Sequence, residues 1–145
     1  MDNNATFAIS AAGMNLERAR VEAAAMNLAN ANTVAAPAER AFQPMQVIAR
    51  TAAAASFGEA LAQQALAAGL VPEAALVPSP LPPRRVHEPG HPLADAQGFV
   101  SYPGVDTAAE MMTLLSATRA YEANVSAMNV ARTLAMKSLD IGGNS

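Results

Sequence analysis

Hydrophobic and polar positions along the chain fall into two helical regimes separated by a stretch with no sustained rhythm. From about Thr6 to Asn30, the positions Ile9, Ala12, Leu16, Ala19, Ala23, Met26 and Asn30 recur at alternating steps of three and four, and six of the seven are apolar. That is the spacing of one helix face. Met14, Val21, Ala25 and Leu28 make a second seam on a neighbouring face. A surface helix usually needs one apolar stripe, so two seams imply partners on more than one side. The segment Asn27-Leu28-Ala29-Asn30-Ala31-Asn32-Thr33 closes the helix, because asparagine side chains compete for backbone hydrogen bonds and tolerate turns.

The same rhythm returns from Thr107 to about Leu139. Met111, Leu114, Thr118, Tyr121, Val125, Met128, Arg132, Ala135 and Leu139 alternate three and four throughout, and only Thr118 and Arg132 are not apolar. Pro103-Gly104 marks a turn before it, and Thr107-Ala108-Ala109-Glu110 fits a capping box at its start. Gly142-Gly143 provides the stop. A helix of about 32 residues spans roughly 48 Å, and heptad spacing sustained over that length predicts coiled-coil pairing.

Between the helices the pattern breaks down. Eight of the ten prolines lie from Pro72 to Pro103, the exceptions being Pro37 and Pro44. Residues 51–68 are alanine-rich and suit a short helix around Phe57, Leu61 and Leu66; residues 69–77 carry β-type residues interrupted by Pro72. Pro78 to Pro83 can be neither a helix interior nor a central strand, since each proline removes a donor and fixes φ. The expected architecture is therefore mainly α. Long N- and C-terminal helices (residues 1–33 and 106–145) pair as a coiled-coil-like hairpin, and a loop-rich middle segment (34–105) contains short β-strands. The whole forms one structural unit.

Composition sharpens this picture. Hydrophobic residues make up 52% of the 145 but aromatics only 4%, and alanine supplies the difference with 36 residues. Alanine favours helices but buries little area, which suits long packed helices better than a large central core. Charged residues total 14%, against a usual level of about 25%. A surface so poor in charge is suited to being covered. The net charge of −3 leaves no basic footprint for nucleic acid. No apolar run approaches the roughly 18–20 residues that span a bilayer, so direct membrane insertion is not expected. Met1-Asp2-Asn3-Asn4 lacks the positive start of a cleaved secretory signal.

Candidate chemistry is sparse. With no cysteine, thiol catalysis, disulfides and cysteine-based metal sites are excluded. His87-Glu88-Pro89-Gly90-His91 matches the H-E-x-x-H pattern of zinc proteases letter for letter. That chemistry needs both histidines one turn apart on a helix. Pro89 and Pro92 push the residues before them out of the α region, so a turn is expected and no metal site. Glu17 and Glu22 near Arg18 and Arg20, and Glu122 near Arg119, suit solvated or inter-subunit charge pairs. Gly69, Gly90, Gly98 and Gly104 are too scattered for a phosphate loop. Neither an enzyme nor a cofactor-binding protein is indicated. Methionines sit mainly in the terminal helices, where the side chain's adaptability suits core filling and interfaces alike.

Three blocks of residues resemble the flagellar basal-body rod proteins, and within them the proximal-rod class. Met26-Asn27-Leu28-Ala29-Asn30-Ala31-Asn32-Thr33 is similar to a signature shared by axial rod and hook proteins. Pro89 to Val100, followed by Tyr102-Pro103-Gly104-Val105-Asp106, resembles the proximal-rod hallmark. Glu110-Met111-Met112, Ala117 to Val125 and Lys137 to Gly142 match the family's terminal helix. Residues 51–83 depart from the family, which usually shows clearer alternating strands there. The resemblance implies a structural subunit that assembles helically through its terminal helices as part of the motor's drive shaft. It implies contacts with other rod proteins, with copies of itself and with the basal-body base, including the MS ring and export gate. Export would run through the flagellar type III system into a periplasm-spanning rod, without a cleaved signal. Combining the seams with these blocks, the residues expected to carry packing and assembly are Leu16, Met26, Asn27, Leu28, Asn30, Thr33, Met111, Leu114, Tyr121, Asn124, Val125, Met128 and Leu139. The reading from another class is a cytosolic coiled-coil adaptor or a helical-hairpin homo-oligomer without catalytic activity.

Overall fold

Alanine-rich sequence with few β-branched residues becomes helix at both ends. The computed structural model of the chain describes residues 3–35, 41–51 and 72–143. Helix α1 runs Asn3–Asn30, beginning slightly before the expected start and ending at the expected asparagine. The exit is a hydrogen-bonded turn. The Ala31 amide donates to the Leu28 carbonyl and the Thr33 amide to the Asn30 carbonyl. The Asn30 side chain donates back to the Met26 carbonyl at 2.9 Å, a local side-chain-to-backbone bond of the kind that competes with continuation of the helix.

The second helix, α2, runs Thr107–Gly143, about 55 Å at 1.5 Å per residue. Its cap differs from the expected capping box. Asp106 holds the N-cap, its Oδ1 accepting from the amides of Ala108 at 3.0 Å and Ala109 at 3.2 Å. Thr107 is thus the first helical residue, and Glu110 does not reach back to it; the Glu110 carboxylate is used elsewhere. An ionised aspartate one position earlier is the stronger acceptor and favours the positive end of the helix.

The middle segment is more regular than its prolines suggest. Strand β1 (Met45–Thr51) and β2 (Pro72–Pro78) form one two-stranded sheet; β3 (Arg84–His87) and β4 (Phe99–Tyr102) form another. Val47 and Ile48 give β1 branched side chains that suit a pleated surface. Pro72 and Pro78 lie at the two ends of β2, where a missing donor is tolerated. The short helix expected around Phe57, Leu61 and Leu66 lies outside the described residues. Strands β3 and β4 are antiparallel, pairing Arg84 with Tyr102 and His87 with Phe99, and Ala35 makes an isolated bridge to Ser101.

Two compact units emerge, and each draws on both helices. One contains α1 to Ala19, β1 from Ile48, β2 to Ala75 and α2 from Ala117; the other is built from Arg20–Val47 and Leu76–Ser116. In the first, buried Ala12, Leu16 and Ala117 supply the core; in the second, Ala23, Ala24, Ala31 and Val100 do so.

The inward face of α2 is rotated from the expected seam. Its less exposed positions are Glu110, Leu114, Ala117, Ala120, Asn124, Val125, Met128, Ala131 and Ala135, whereas Met111, Thr118, Tyr121 and Arg132 are exposed. Leu114, Val125, Met128 and Ala135 belong to both sets. The reason is side-chain size, because the distance between packed helices depends on the residues at the contact. At Ala117, Ala120 and Asn124 the small side chains allow a close approach, while Leu114, Val125 and Met128 fill the wider parts of the same face. No described helix is long and apolar enough to cross a membrane.

Candidate assembly surface

Among the described residues, the most deeply buried polar side chain is Asn27, in the segment that ends α1. It is 1% exposed, yet its side chain is fully engaged. Its Oδ1 accepts from the Met45 amide at 2.9 Å, and its Nδ2 donates to the Met45 carbonyl at 2.7 Å. Asn27 thereby acts as a surrogate strand partner for the first residue of β1. The second Nδ2 proton goes to Glu110 Oε1 at 2.9 Å. One side chain thus ties α1, β1 and α2 together within a single unit. Both donors and an acceptor are used, which removes the penalty of burying an amide.

Beside this node runs a groove of about 410 Å³, bordered by Arg20, Ala24, Gln46, Leu81, Glu110 and Thr113. In the other unit, Gly13 on α1 faces the Asn124 side chain on α2. A β-carbon at Gly13 would stand 2.8 Å from Asn124 Nδ2. A side chain at Gly13 would therefore make the Asn124 amide, the end of a flexible side chain, shift aside.

The remaining expected residues divide by exposure. Leu16 is buried; Leu28, Asn30, Leu114, Val125 and Met128 are half-buried; Thr33 and Tyr121 are exposed. Met26 is 48% exposed and Met111 61%. Leu139 lies within α2, and its side chain falls outside the described set. Met112, Leu115, Val130, Leu134 and Met136 add further exposed apolar side chains, so α2 carries apolar groups well beyond its inward face. An amphipathic helix with one buried face would put polar residues there.

The β3–β4 connection is a wound loop organised by Asp95. Its Oδ1 accepts from the amides of Gln97 and Phe99, each at 2.9 Å, and its Oδ2 pairs with Arg85 Nη2 at 2.6 Å. The Phe99 amide does most to hold the Asp95 carboxyl below the usual carboxylate range, opposed by partial desolvation and helped by Gln97 and Arg85. Arg85 also lies over the Phe99 ring at 4.9 Å, and the His87 ring meets Phe99 edge-on at 5.0 Å. Tyr102 donates to Glu88 at 3.2 Å. Loss of water around the Tyr102 hydroxyl, followed by the Glu88 carboxylate, pushes it above the ordinary phenol range.

The H-E-x-x-H match lies in this loop and is not helical. His87 ends β3, Pro89-Gly90 form a turn, and His91 Nδ1 accepts from the Leu93 amide at 3.1 Å. Glu88 is engaged by Tyr102, so the geometry a zinc helix requires is absent. Among the described residues, no three His, Cys, Asp or Glu side chains are grouped to hold a metal ion.

Sequence reasoning found Asn27 and Asn124 but not what they touch. It missed Asp106 and Asp95. An aspartate directly before a helical rhythm is a cap signal in its own right. The Asn27–Glu110 contact, 83 residues apart, left no local signal.

Residues 96–141 match the family model described as "Flagellar basal body rod FlgEFG protein C-terminal". The chain is 35% identical to the flagellar basal-body rod protein FlgC of Yersinia enterocolitica over 136 residues, 94% of this chain and 95% of that protein. It is 36% identical to FlgC of Escherichia coli O6:H1 over the same shares. With FlgC of Bacillus subtilis the identity is 51% over 57 residues, 39% of this chain and 38% of that protein. Likeness at this level over nearly the whole of both chains shows common descent: the chain belongs to the FlgC family of flagellar basal-body rod proteins.

Proposed function

We propose that the chain is a structural subunit of the proximal rod of the flagellar basal body and carries out no catalytic step. The observation that carries this reading is the 35–36% identity with rod proteins over 94% of the chain. In this reading α1 and α2 pair as an antiparallel, coiled-coil-like hairpin. Two contacts support that: from Gly13 to Asn27 is fourteen residues forward on α1, and from their partners Asn124 to Glu110 is fourteen back on α2. The outward apolar side chains of α2, Met111, Met112 and Leu115 among them, then dock on neighbouring copies and on other rod subunits. Heterologous contacts of this kind, when they do not close a ring, build a helical tube. Eight of the thirteen positions expected to carry packing and assembly divide accordingly. Leu16, Asn27, Leu114, Asn124 and Val125 shape the hairpin, while Met26, Met111 and Tyr121 face neighbours.

The rest of the reading follows from membership of the rod. The chain reaches the basal body through the flagellar type III export route, without a cleaved signal, and meets other rod subunits and the basal-body base there. The test is compositional and visual. Basal bodies are purified from cells carrying the tagged chain, analysed by mass spectrometry and imaged with a label against the tag. Recovery in the rod, and truncated basal bodies when the gene is removed, are expected. Complete basal bodies lacking the chain would favour a cytosolic adaptor or helical homo-oligomer instead.

A further inference from the structure

With no cysteine in the chain, its oxidisable sulfur consists entirely of eight methionine thioethers. Their environments differ sharply. Met14, Met45 and Met128 are half-buried, Met26 and Met136 are 48% and 57% exposed, and Met111 and Met112 reach 61% and 69%. Among the described residues, Met112 has the highest exposure of the exposed large hydrophobic side chains. The two are adjacent on α2, and Leu115 lies four residues after one and three after the other, so all three share one surface patch. A thioether in such a patch meets small oxidants before any buried one does. Conversion to the sulfoxide replaces an apolar contact with a polar, chiral one.

We propose that Met111 and Met112 form an oxidation site of the unassembled subunit, and that their sulfoxides prevent it from docking. The second half rests on the reading that the α2 patch faces a neighbouring copy. The co-reactant is a peroxide. A sulfur lone pair attacks one peroxide oxygen and the O–O bond breaks. The departing hydroxide takes up the remaining proton as water. Sulfur is oxidised by two electrons and the peroxide reduced by two. Once the patch is covered in an assembly the thioethers are shielded, so sensitivity belongs to the free subunit.

The experiment exposes the purified full-length chain to dilute hydrogen peroxide and measures sulfoxide at each methionine by peptide mass spectrometry. Met111 and Met112 should oxidise at least about fivefold faster than Met14, Met45 and Met128, following exposure. Equal rates would overturn the site. Self-association is then measured by sedimentation over a range of concentrations. Peroxide should abolish it, and methionine sulfoxide reductases of both stereochemical classes should restore it. In a Met111→Leu, Met112→Leu double variant, compared treated with untreated, most of the peroxide effect on association should be gone; an undiminished effect would overturn the switch by pointing to Met26 or Met136. Association that survives oxidation of both residues in the parent would overturn the switch. An untreated parent that never associates would overturn the docking reading and the second half with it, while the oxidation rates still decide the first half.

Discussion

Replacing Asn27 with alanine removes three hydrogen bonds in one step. Two are neutral, with the amide and carbonyl of Met45 at 2.9 and 2.7 Å, and one joins the carboxylate of Glu110 at 2.9 Å. A neutral bond contributes about 0.5–1.5 kcal/mol net and one to a charged group about 1.5–3, so the loss lies between roughly 2.5 and 6 kcal/mol. Met45 and Glu110 are only half-buried, so water can take over part of what Asn27 supplied. The lower half of the range, about 3–4 kcal/mol, is therefore expected. Asn27→Asp is the more informative variant. It keeps the shape, loses both N–H donors and puts a second carboxylate against Glu110. Like charges this close raise the folded pKa of one carboxyl above its unfolded value. The folded state then binds the extra proton, so the variant is least impaired below the unfolded carboxylate pKa and loses stability as pH rises through the raised one. Urea unfolding followed by circular dichroism, at acidic and neutral pH, gives the free energies. Hydrogen exchange at the Met45 amide gives a local reading that does not depend on two-state unfolding. Met26→Ala, at the exposed neighbouring position, is the control. An Asn27→Ala protein within about 0.5 kcal/mol of the parent, with the Met45 amide still protected, would show that the node does not hold α1 to β1.

Three further outcomes follow from the geometry. Gly104→Ala would drive a β-carbon into the Pro82 carbonyl oxygen, a backbone atom that cannot swing aside, whereas Gly90 has open space around it; thermal melting should show a loss of about 1–3 kcal/mol for the first and little for Gly90→Ala, and equal melting would refute the close approach. Asp106→Ala should cost about 1 kcal/mol in unfolding experiments while Thr107→Ala costs little, the reverse ranking restoring the capping box. The Asp95 carboxyl, followed by NMR, should titrate below the usual carboxylate range and move only partly back in Arg85→Ala, because the Phe99 and Gln97 amides still donate to it; with the folded pKa depressed, its contribution to the loop is present above the unfolded pKa and lost as pH falls through the folded one, and a full return in Arg85→Ala would show that the two amides do not hold it.

How much of this was legible in the sequence depended on whether its cause was local. Both long helices, the asparagine-rich exit of α1 and the non-helical character of His87 to His91 follow from spacing, propensity and the φ restrictions around proline. The face of α2 that turns inward did not follow. Apolar periodicity favours the larger side chains Met111 and Tyr121, but close contact selects the smaller Ala117 and Ala120 beside Asn124. In a chain this rich in alanine the hydrophobic pattern is nearly the same on several faces, so size decides. Strand β2 was obscured because Pro72 and Pro78 read as interruptions when they are ends. Asn27 was singled out by its motif, yet its role depends on Met45 and Glu110, which no window of neighbouring residues contains.

The sharing of both helices between the two units has a consequence for when the chain can fold. Gly13 meets Asn124, and Asn27 meets Glu110 across 83 residues, so each unit is closed by a partner from the far end. Bringing such distant segments together costs about 4 kcal/mol of chain entropy in the logarithmic term alone. A ribosome releases residues in order, and until α2 has emerged neither unit has both of its walls. The usual sequence, in which N-terminal parts fold while later ones are being made, has nothing here to act on. Folding therefore waits for the final helix, and the chain stays open and threadable for as long as that helix is held back.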